Sequence, residues 1–293
     1  MRKLLLALAL TAAPLGIAAC GGSSSTAGSA STATVADCAK ASLATKTAGT
    51  LTFSTDNPAF PPWYGGGEKN KPWKLNDPST GQGYESAVAA AVAAKLGFAP
   101  TEVKWIVTPF DKSFAPGPKD FDVFINQVSI NPERAQNVDF SSGYYNVNQA
   151  VVGLAKKPIA TATSVADLKG YKLGAAVGTT SLKAIQDKVQ PTSAPAVYNT
   201  NDDAVSALKA GQIDGIVVDL PTGYFVTAAQ VEGSKIIGQF PTAGTPEQFG
   251  MVLPKGSPLT NCITQTVDAL RADGTLDKLE QQFLAGAAAP FLK

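Results

Sequence analysis

The 293-residue chain has no histidine, three cysteines and only 16% charged residues. Without histidine there can be no Ser-His-Asp or Cys-His nucleophile system and no histidine-based zinc site. The sequence also lacks a Walker loop, an EF-hand loop and a dinucleotide fingerprint, so no cofactor and no metal is expected. Catalysis by carboxylates or lysine remains formally open, but nothing marks it. Lys and Arg number 24 against 23 Asp and Glu, a net charge of +1. That balance lacks the basic excess of a nucleic-acid binder. Beyond Cys20 no apolar run approaches the roughly 20 residues that a membrane-spanning helix needs. What is present is a 44% hydrophobic complement, enough for a large core in one or two domains.

The N-terminus is the most specific segment. Arg2-Lys3 precedes an apolar stretch from Leu4 to Leu10, and Ala18-Ala19-Cys20 closes it. This is the layout of a secretory signal. Small residues directly before a cysteine resemble the lipobox of bacterial lipoproteins, in which that cysteine is lipidated and becomes the mature N-terminus. Two competing readings are a transmembrane anchor, which is too short and is interrupted by Thr11, Pro14 and Gly16, and an ordinary cleaved signal without lipid. The expectation is a signal over 1–20, lipidation at Cys20 and an extracytoplasmic location on the outer face of the cell membrane. Residues 21–37 are almost all Gly, Ser, Thr and Ala with little to bury, a flexible tether reaching about 20 Å. With Cys20 lipidated, Cys38 and Cys262 are left in an oxidising compartment and are expected to bond; two buried thiols are the alternative. Closing so long a loop would contribute about 4–5 kcal/mol in the chain-entropy model.

From Thr50 onward strands and helices alternate, which implies sheets covered by helices. Leu51–Thr55 reads as a strand and Gly65–Gly83 as a loop. Tyr84–Leu96 reads as a helix, with Val88, Val92 and Leu96 on one face and Gly97 at its stop. Val103–Val107 and Phe121–Val128 read as strands, and Asn131-Pro132 as a helix start. A second alternating set follows: Tyr171–Val177, a helix opened by Gly178-Thr179-Thr180-Ser181, a helix capped by Asn201, the strand Ile213–Val218, and two closing helices bearing Ile263, Val267, Leu270 and then Leu276, Leu279, Phe283.

The segment FDVFINQVSINPERAQNVDFSSGYY, Phe121 to Tyr145, resembles the signature of solute-binding proteins of polar amino acid ABC transporters, family 3. Thr55-Asp56, Gly83-Tyr84-Glu85, Gly178-Thr179-Thr180-Ser181, Asp214-Gly215 through Asp219, and Phe249-Gly250 match in order from Leu51 to Phe283. The resemblance implies a two-lobed α/β fold of the type II periplasmic-binding-protein kind, with two crossover hinge strands at Tyr145–Val151 and Glu247–Met251. Lobe 1 would comprise 38–146 plus 249–293 and lobe 2 147–248, with ligand between them. Asn126 and Gln127 depart from the small residues usual there, and the Gly65–Gly83 loop is longer than the family's.

The ligand set follows from the resemblance and from the chemistry of a zwitterion. Arg134 would fork a carboxylate, although its place in a helix's first turn costs about a few tenths of a kcal/mol. The competing reading is a surface arginine paired with Glu133 or Asp139. Asp219, at a strand end before Leu220-Pro221, would accept the ammonium; a turn-initiating aspartate is the alternative. Ser129, Thr179 and Thr180 would complete the carboxylate site, with backbone N–H groups of the helix starts contributing. Gln127 adds an amide, and Phe60 and Phe110 wall the pocket. Asp56 would favour a basic or amide side chain, or it simply caps the turn with Asn57-Pro58.

The function these residues imply is capture of a polar amino acid, with a basic or amide side chain favoured, and delivery to an ABC permease in the membrane. A monomer without nucleic-acid or enzymatic activity is expected. A sensor-linked receptor domain and a dehydratase on the same fold are the alternatives.

Overall fold

A computed structural model describes residues 38–68, 70–242, 244–284 and 289–293. The expected signal, Cys20 and the expected tether lie outside them. Two five-stranded mixed sheets organise the chain. The first contains β1 (Leu51–Thr55), β2 (Val103–Val107), β3 (Val123–Phe124), β4 (Val138–Val147) and β10 (Glu247–Pro254), in the order β2-β1-β3-β10-β4. The second contains β5 (Gln149–Leu154), β6 (Leu173–Ala176), β7 (Ala196–Tyr198), β8 (Gly215–Asp219) and β9 (Ser234–Gln239), in the order β7-β6-β8-β5-β9. Each sheet has a parallel core of three strands and is completed by antiparallel strands.

Alternation within the strands separates the cores. Phe124 and Val252 join one apolar cluster, while Val123, Ile125, Met251 and Leu253 join the cluster on the other face. In the second sheet Val151 and Val217 face one cluster, and Val152, Ile216 and Val218 face another. This is the period-2 pattern of strands buried on both faces. Helix α1 (Tyr84–Lys95) sends Val88 and Val92 into the first core, as their spacing predicts, and α7 (Thr260–Ala272) adds Ile263, Val267 and Leu270.

The chain passes between the sheets twice. One crossing is at Asn148, between β4 and β5; the other runs from β9 to β10. At the level of Val147 and Glu247 the two crossing strands still pair. The disulfide expected between Cys38 and Cys262 is present and links residues 224 positions apart. The last residues, grouped by the sequence reading with the first lobe, return to the second sheet: Phe291 bridges Gln239, and Leu292 sits in the core beside Val151.

Several boundaries move for identifiable reasons. The Phe121–Val128 run yields only a two-residue strand, because the chain turns at Gln127, whose φ is 48°. Asn201 is the first helical residue of α5 (Asn201–Lys209) rather than its cap. Thr200 caps it, exchanging bonds with Asp203 in a capping box.

Candidate functional site

Where the sheets approach each other, polar side chains from both converge. Arg134 lies in the single-turn helix α3 (Pro132–Ala135), and Asn131 caps that turn by accepting the Arg134 N–H at 2.8 Å. The turn has little to offer an anion beyond the side chain, because Pro132 has no N–H and the Arg134 N–H is already taken. The Arg134 side chain is only 6% exposed. Its Nη1 donates to the Ser129 carbonyl at 2.8 Å and its Nη2 to the Gly178 carbonyl at 2.9 Å, on opposite sides of the gap between the sheets. The guanidinium stands over Phe114 at 4.4 Å and Phe110 at 5.5 Å. Burial lowers its pKa to about 10, while Glu247, Asp219 and Glu133 pull it upward. The competing surface pairing does not occur: Asp139 engages Lys255 at 3.3 Å instead.

Asp219 ends β8 and stands at the N-cap position of α6 (Leu220–Phe225), yet its carboxylate does not cap that helix. Its Oδ1 instead accepts from Gln149 Nε2 at 2.6 Å. Gln149 is 3% exposed and is fixed at its other end, where Ser181 Oγ donates to its Oε1 at 2.6 Å. The same Nε2 lies 3.3 Å from Glu247 Oε2 and 3.3 Å from Thr180 Oγ1. Ser129 Oγ donates to Glu247 Oε1 at 2.5 Å and lies 3.3 Å from Thr180 Oγ1. Burial, then Glu247, raises the Asp219 pKa to about 8 against the Gln149 bond and Arg134, which lower it.

The remaining expected residues divide. The Thr179 hydroxyl is committed to its own helix, donating to Ala176 O at 2.7 Å and accepting the Leu182 N–H at 3.1 Å. Asp56 ties two segments together: Oδ1 accepts from Asn57 N at 2.7 Å and Oδ2 from Phe110 N at 3.1 Å. It thereby sets the ring that Arg134 covers. Phe60 meets Phe225 of α6 at a centroid distance of 6.3 Å, and beside it Trp63 Nε1 donates to Thr222 Oγ1 at 3.3 Å. The Gln127 side chain turns to Glu85 and Asn126.

Sequence reasoning did not select Phe114, Gln149, Phe225 or Glu247 for the site. A usable signal existed for Gln149, a lone amide opening the otherwise apolar QAVVGL strand. In the sequence Glu85 stands out only as part of the Gly83-Tyr84-Glu85 match. It is fully buried, accepting the Gln127 N–H at 2.6 Å and also the Gln127 amide and the Tyr144 hydroxyl.

A cavity of about 410 Å³ opens beside Arg134 and is lined in part by Phe114, Gly178, Thr179 and Thr180. Another of about 780 Å³ reaches Ser129, Gln149, Thr180 and Glu247. Among the described residues no group of His, Cys, Asp and Glu is arranged to hold a metal, and no helix is long and apolar enough to cross a membrane.

Residues 64–286 match the family model described as bacterial extracellular solute-binding proteins, family 3. The ABC transporter arginine-binding protein 1 of Escherichia coli (strain K12) is 34% identical over 174 residues, covering 56% of this chain and 67% of that protein. The L-arginine-binding protein of Pseudomonas aeruginosa is 28% identical over 268 residues, covering 83% of this chain and 94% of that one. A solved ancestral arginine-binding protein bound to arginine superposes with a TM-score of 0.63 at 30% identity, covering 81% of this chain and 99% of that one.

Proposed function

This chain belongs to the bacterial extracellular solute-binding proteins of family 3, and from that premise we propose that it captures a polar amino acid with a basic or amide side chain and presents it to an ABC permease. It is a binding protein rather than an enzyme, as its named relatives are.

The observation that carries the ligand reading is that one buried cluster holds both Arg134 and Asp219, each with bonding capacity left over. A zwitterion needs donors for its carboxylate and an acceptor for its ammonium. Arg134 has N–H groups left over after Ser129 and Gly178, and Asp219 has an oxygen left over after Gln149. The carboxylate docks on the Arg134 guanidinium, helped by the Ser129 and Thr180 hydroxyls. The ammonium docks on Asp219. Phe60, Phe110 and Phe225 enclose the side chain, and Asp56 contributes negative charge at that end.

Specificity follows from charge. Among Arg134, Asp219 and Glu247 acidic groups are in excess, so a cationic ligand is favoured over an acidic one. Arginine in the names of two relatives supports the same preference. Ligand contacts to both sheets favour the closed arrangement, because only differential contacts shift such an equilibrium. Lobe 1 comprises 38–146 plus most of 249–293, lobe 2 comprises 147–248, and Cys20 carries the lipid that holds the protein at the outer face of the membrane.

The test is a thermal-shift and calorimetric screen against the common amino acids. A micromolar ligand at millimolar concentration adds about 4 kcal/mol of stability. Response to arginine, lysine or glutamine with none to glutamate supports the reading. Silence across the panel, or preference for glutamate, refutes it.

A further inference from the structure

Asp219 occupies a helix N-cap but does not cap. An aspartate in that position ordinarily accepts a backbone N–H of the first turn. Here the carboxylate makes no cap bond to α6 and, among the described residues, meets one donor only, Gln149 Nε2. Gln149 is not Asp219's alone: the same nitrogen lies within 3.4 Å of both carboxylate oxygens of Glu247. Two acidic side chains, from β8 and β10, therefore converge on one amide that is itself anchored by Ser181.

The charges around Asp219 can be named element by element. β5 presents the neutral Gln149, and β10 presents Glu247. α3 supplies Arg134, the one cation acting on Asp219 among the described residues, whose guanidinium already serves two carbonyl oxygens. α1 supplies the buried Glu85, and β4 supplies Tyr145, whose hydroxyl is raised partly by Asp219 itself. Buried carboxylates in such a setting are costly when both are charged and one cation must serve them.

We propose that Asp219 is protonated in the unliganded cleft, kept so by Glu247, and that an entering ammonium group displaces that proton, with Glu247 acting as a second acidic determinant of ligand charge. The exchange balances: the Asp219 O–H bond breaks, its proton passes to bulk water or buffer, and the ammonium arrives and stays protonated while donating to the freed carboxylate. One positive charge replaces another at the same place. A ligand lacking an ammonium group cannot make the exchange. Burial first and Glu247 second together raise the Asp219 pKa to about 8, which agrees with this assignment. The inference rests on the amino acid reading above and states how that site is regulated by pH.

The experiment is isothermal titration calorimetry of the purified protein with L-arginine and with L-glutamine, in phosphate and in Tris at pH 7, repeated at pH 9. The difference between buffers counts protons released. Close to one proton released per bound ligand is expected at pH 7; at pH 9 that release gives way to net uptake, because the free amino acid's own ammonium titrates in this range and must be protonated to bind. Below pH 8, affinity should rise by up to about tenfold for each pH unit climbed, and stop rising above it. Glu247→Gln should cut the count at pH 7 by more than half. Binding with identical heats in both buffers overturns the proposal while leaving the amino acid reading intact. An unchanged count in Glu247→Gln overturns the role of Glu247. Absence of binding by any amino acid overturns both readings. Should Glu247→Gln fail to fold, the wild-type count alone decides.

Discussion

The fully buried Glu85 carboxylate accepts the backbone N–H of Gln127 at 2.6 Å, and Gln127 is one of two non-glycine residues among those described whose φ is positive. The bond links the start of α1 to the turn that delivers Ser129, and Ser129 in turn holds Arg134 through its carbonyl. The left-handed turn is thus imposed by a buried acceptor rather than permitted by a glycine.

Replacing Glu85 by Ala is expected to unpin that turn. It removes a buried acceptor from three donors, so a loss of roughly 3 kcal/mol or more is expected in chemical unfolding. Gln127→Gly should be tolerated within about 1 kcal/mol, since glycine accepts the backbone angle. Gln127→Val, β-branched at positive φ, should cost distinctly more. Equal effects from glycine and valine would show that the turn carries no conformational demand.

Stability should fall as pH rises through the acid range to neutrality. Burial raises Glu85 from 4.5 to about 7, against the hydrogen bonds from Tyr144 and Gln127, and raises Asp219 from 3.8 to about 8. For both, the folded state binds a proton more tightly than the unfolded chain. Their contribution is full below the unfolded values and is lost as pH climbs through the folded ones. Between pH 4.5 and 7 Glu85 alone accounts for up to about 3 kcal/mol. Urea unfolding of ligand-free protein from pH 4 to 9 measures this, and Glu85→Gln should flatten the lower part of the curve. Stability that rises steadily over this range contradicts both assignments.

Arg134→Ala should weaken amino acid binding by at least ~30-fold, the loss of about 2 kcal/mol or more that follows from removing one partner of a buried charged contact. Arg134→Lys should recover little, because an ammonium cannot span the Ser129 and Gly178 carbonyls as a planar fork does. Calorimetry distinguishes the two; full affinity in the lysine variant would place the ligand carboxylate elsewhere.

Two glycines separate backbone angle from space. Gly83 has φ 88°, and a Cβ there would meet the Trp63 carbonyl oxygen at 2.5 Å; Gly178 has φ 72° with open space around it. Gly83→Ala is expected to cost more than ~3 kcal/mol. Gly178→Ala should cost only the angle, roughly 1–2 kcal/mol. Thermal melts of both variants check the order.

Reducing the Cys38–Cys262 disulfide should lower stability by about 2–4 kcal/mol, because it closes a loop of 224 positions in the unfolded chain. Denaturant midpoints with and without reductant measure it. A Cys38→Ala/Cys262→Ala variant should match the reduced protein.

The α/β class, the alternation of strands and helices, and the buried face of α1 were legible because each depends on local periodicity: Val88 and Val92 recur at helical spacing, and strand residues alternate between two cores. The ordered motifs pointed to Arg134, Asp219, Ser129 and Thr180; the last three meet through Gln149 and Glu247, and Arg134 joins them through the Ser129 carbonyl. Those two intermediaries were not legible. Gln149 and Glu247 lie 98 positions apart, and neither has a local pattern that announces its partner. The same holds for Phe225 against Phe60, which face each other only because α6 follows β8 to the first lobe's aromatic edge.

What the sequence determined by itself was therefore which elements form, which faces they bury and which residue types could bind a zwitterion, since propensity, period and side-chain chemistry act over a few residues. What only the tertiary structure decided was which polar groups spend their hydrogen bonds on the protein. Thr179 spends its hydroxyl on its own helix and Asp56 spends both oxygens on backbone N–H groups, while Asp219 is left with one donor and an acidic neighbour. The cost of burying a charge depends on what stands around it in space, and the chain brings those neighbours together from strands far apart in sequence.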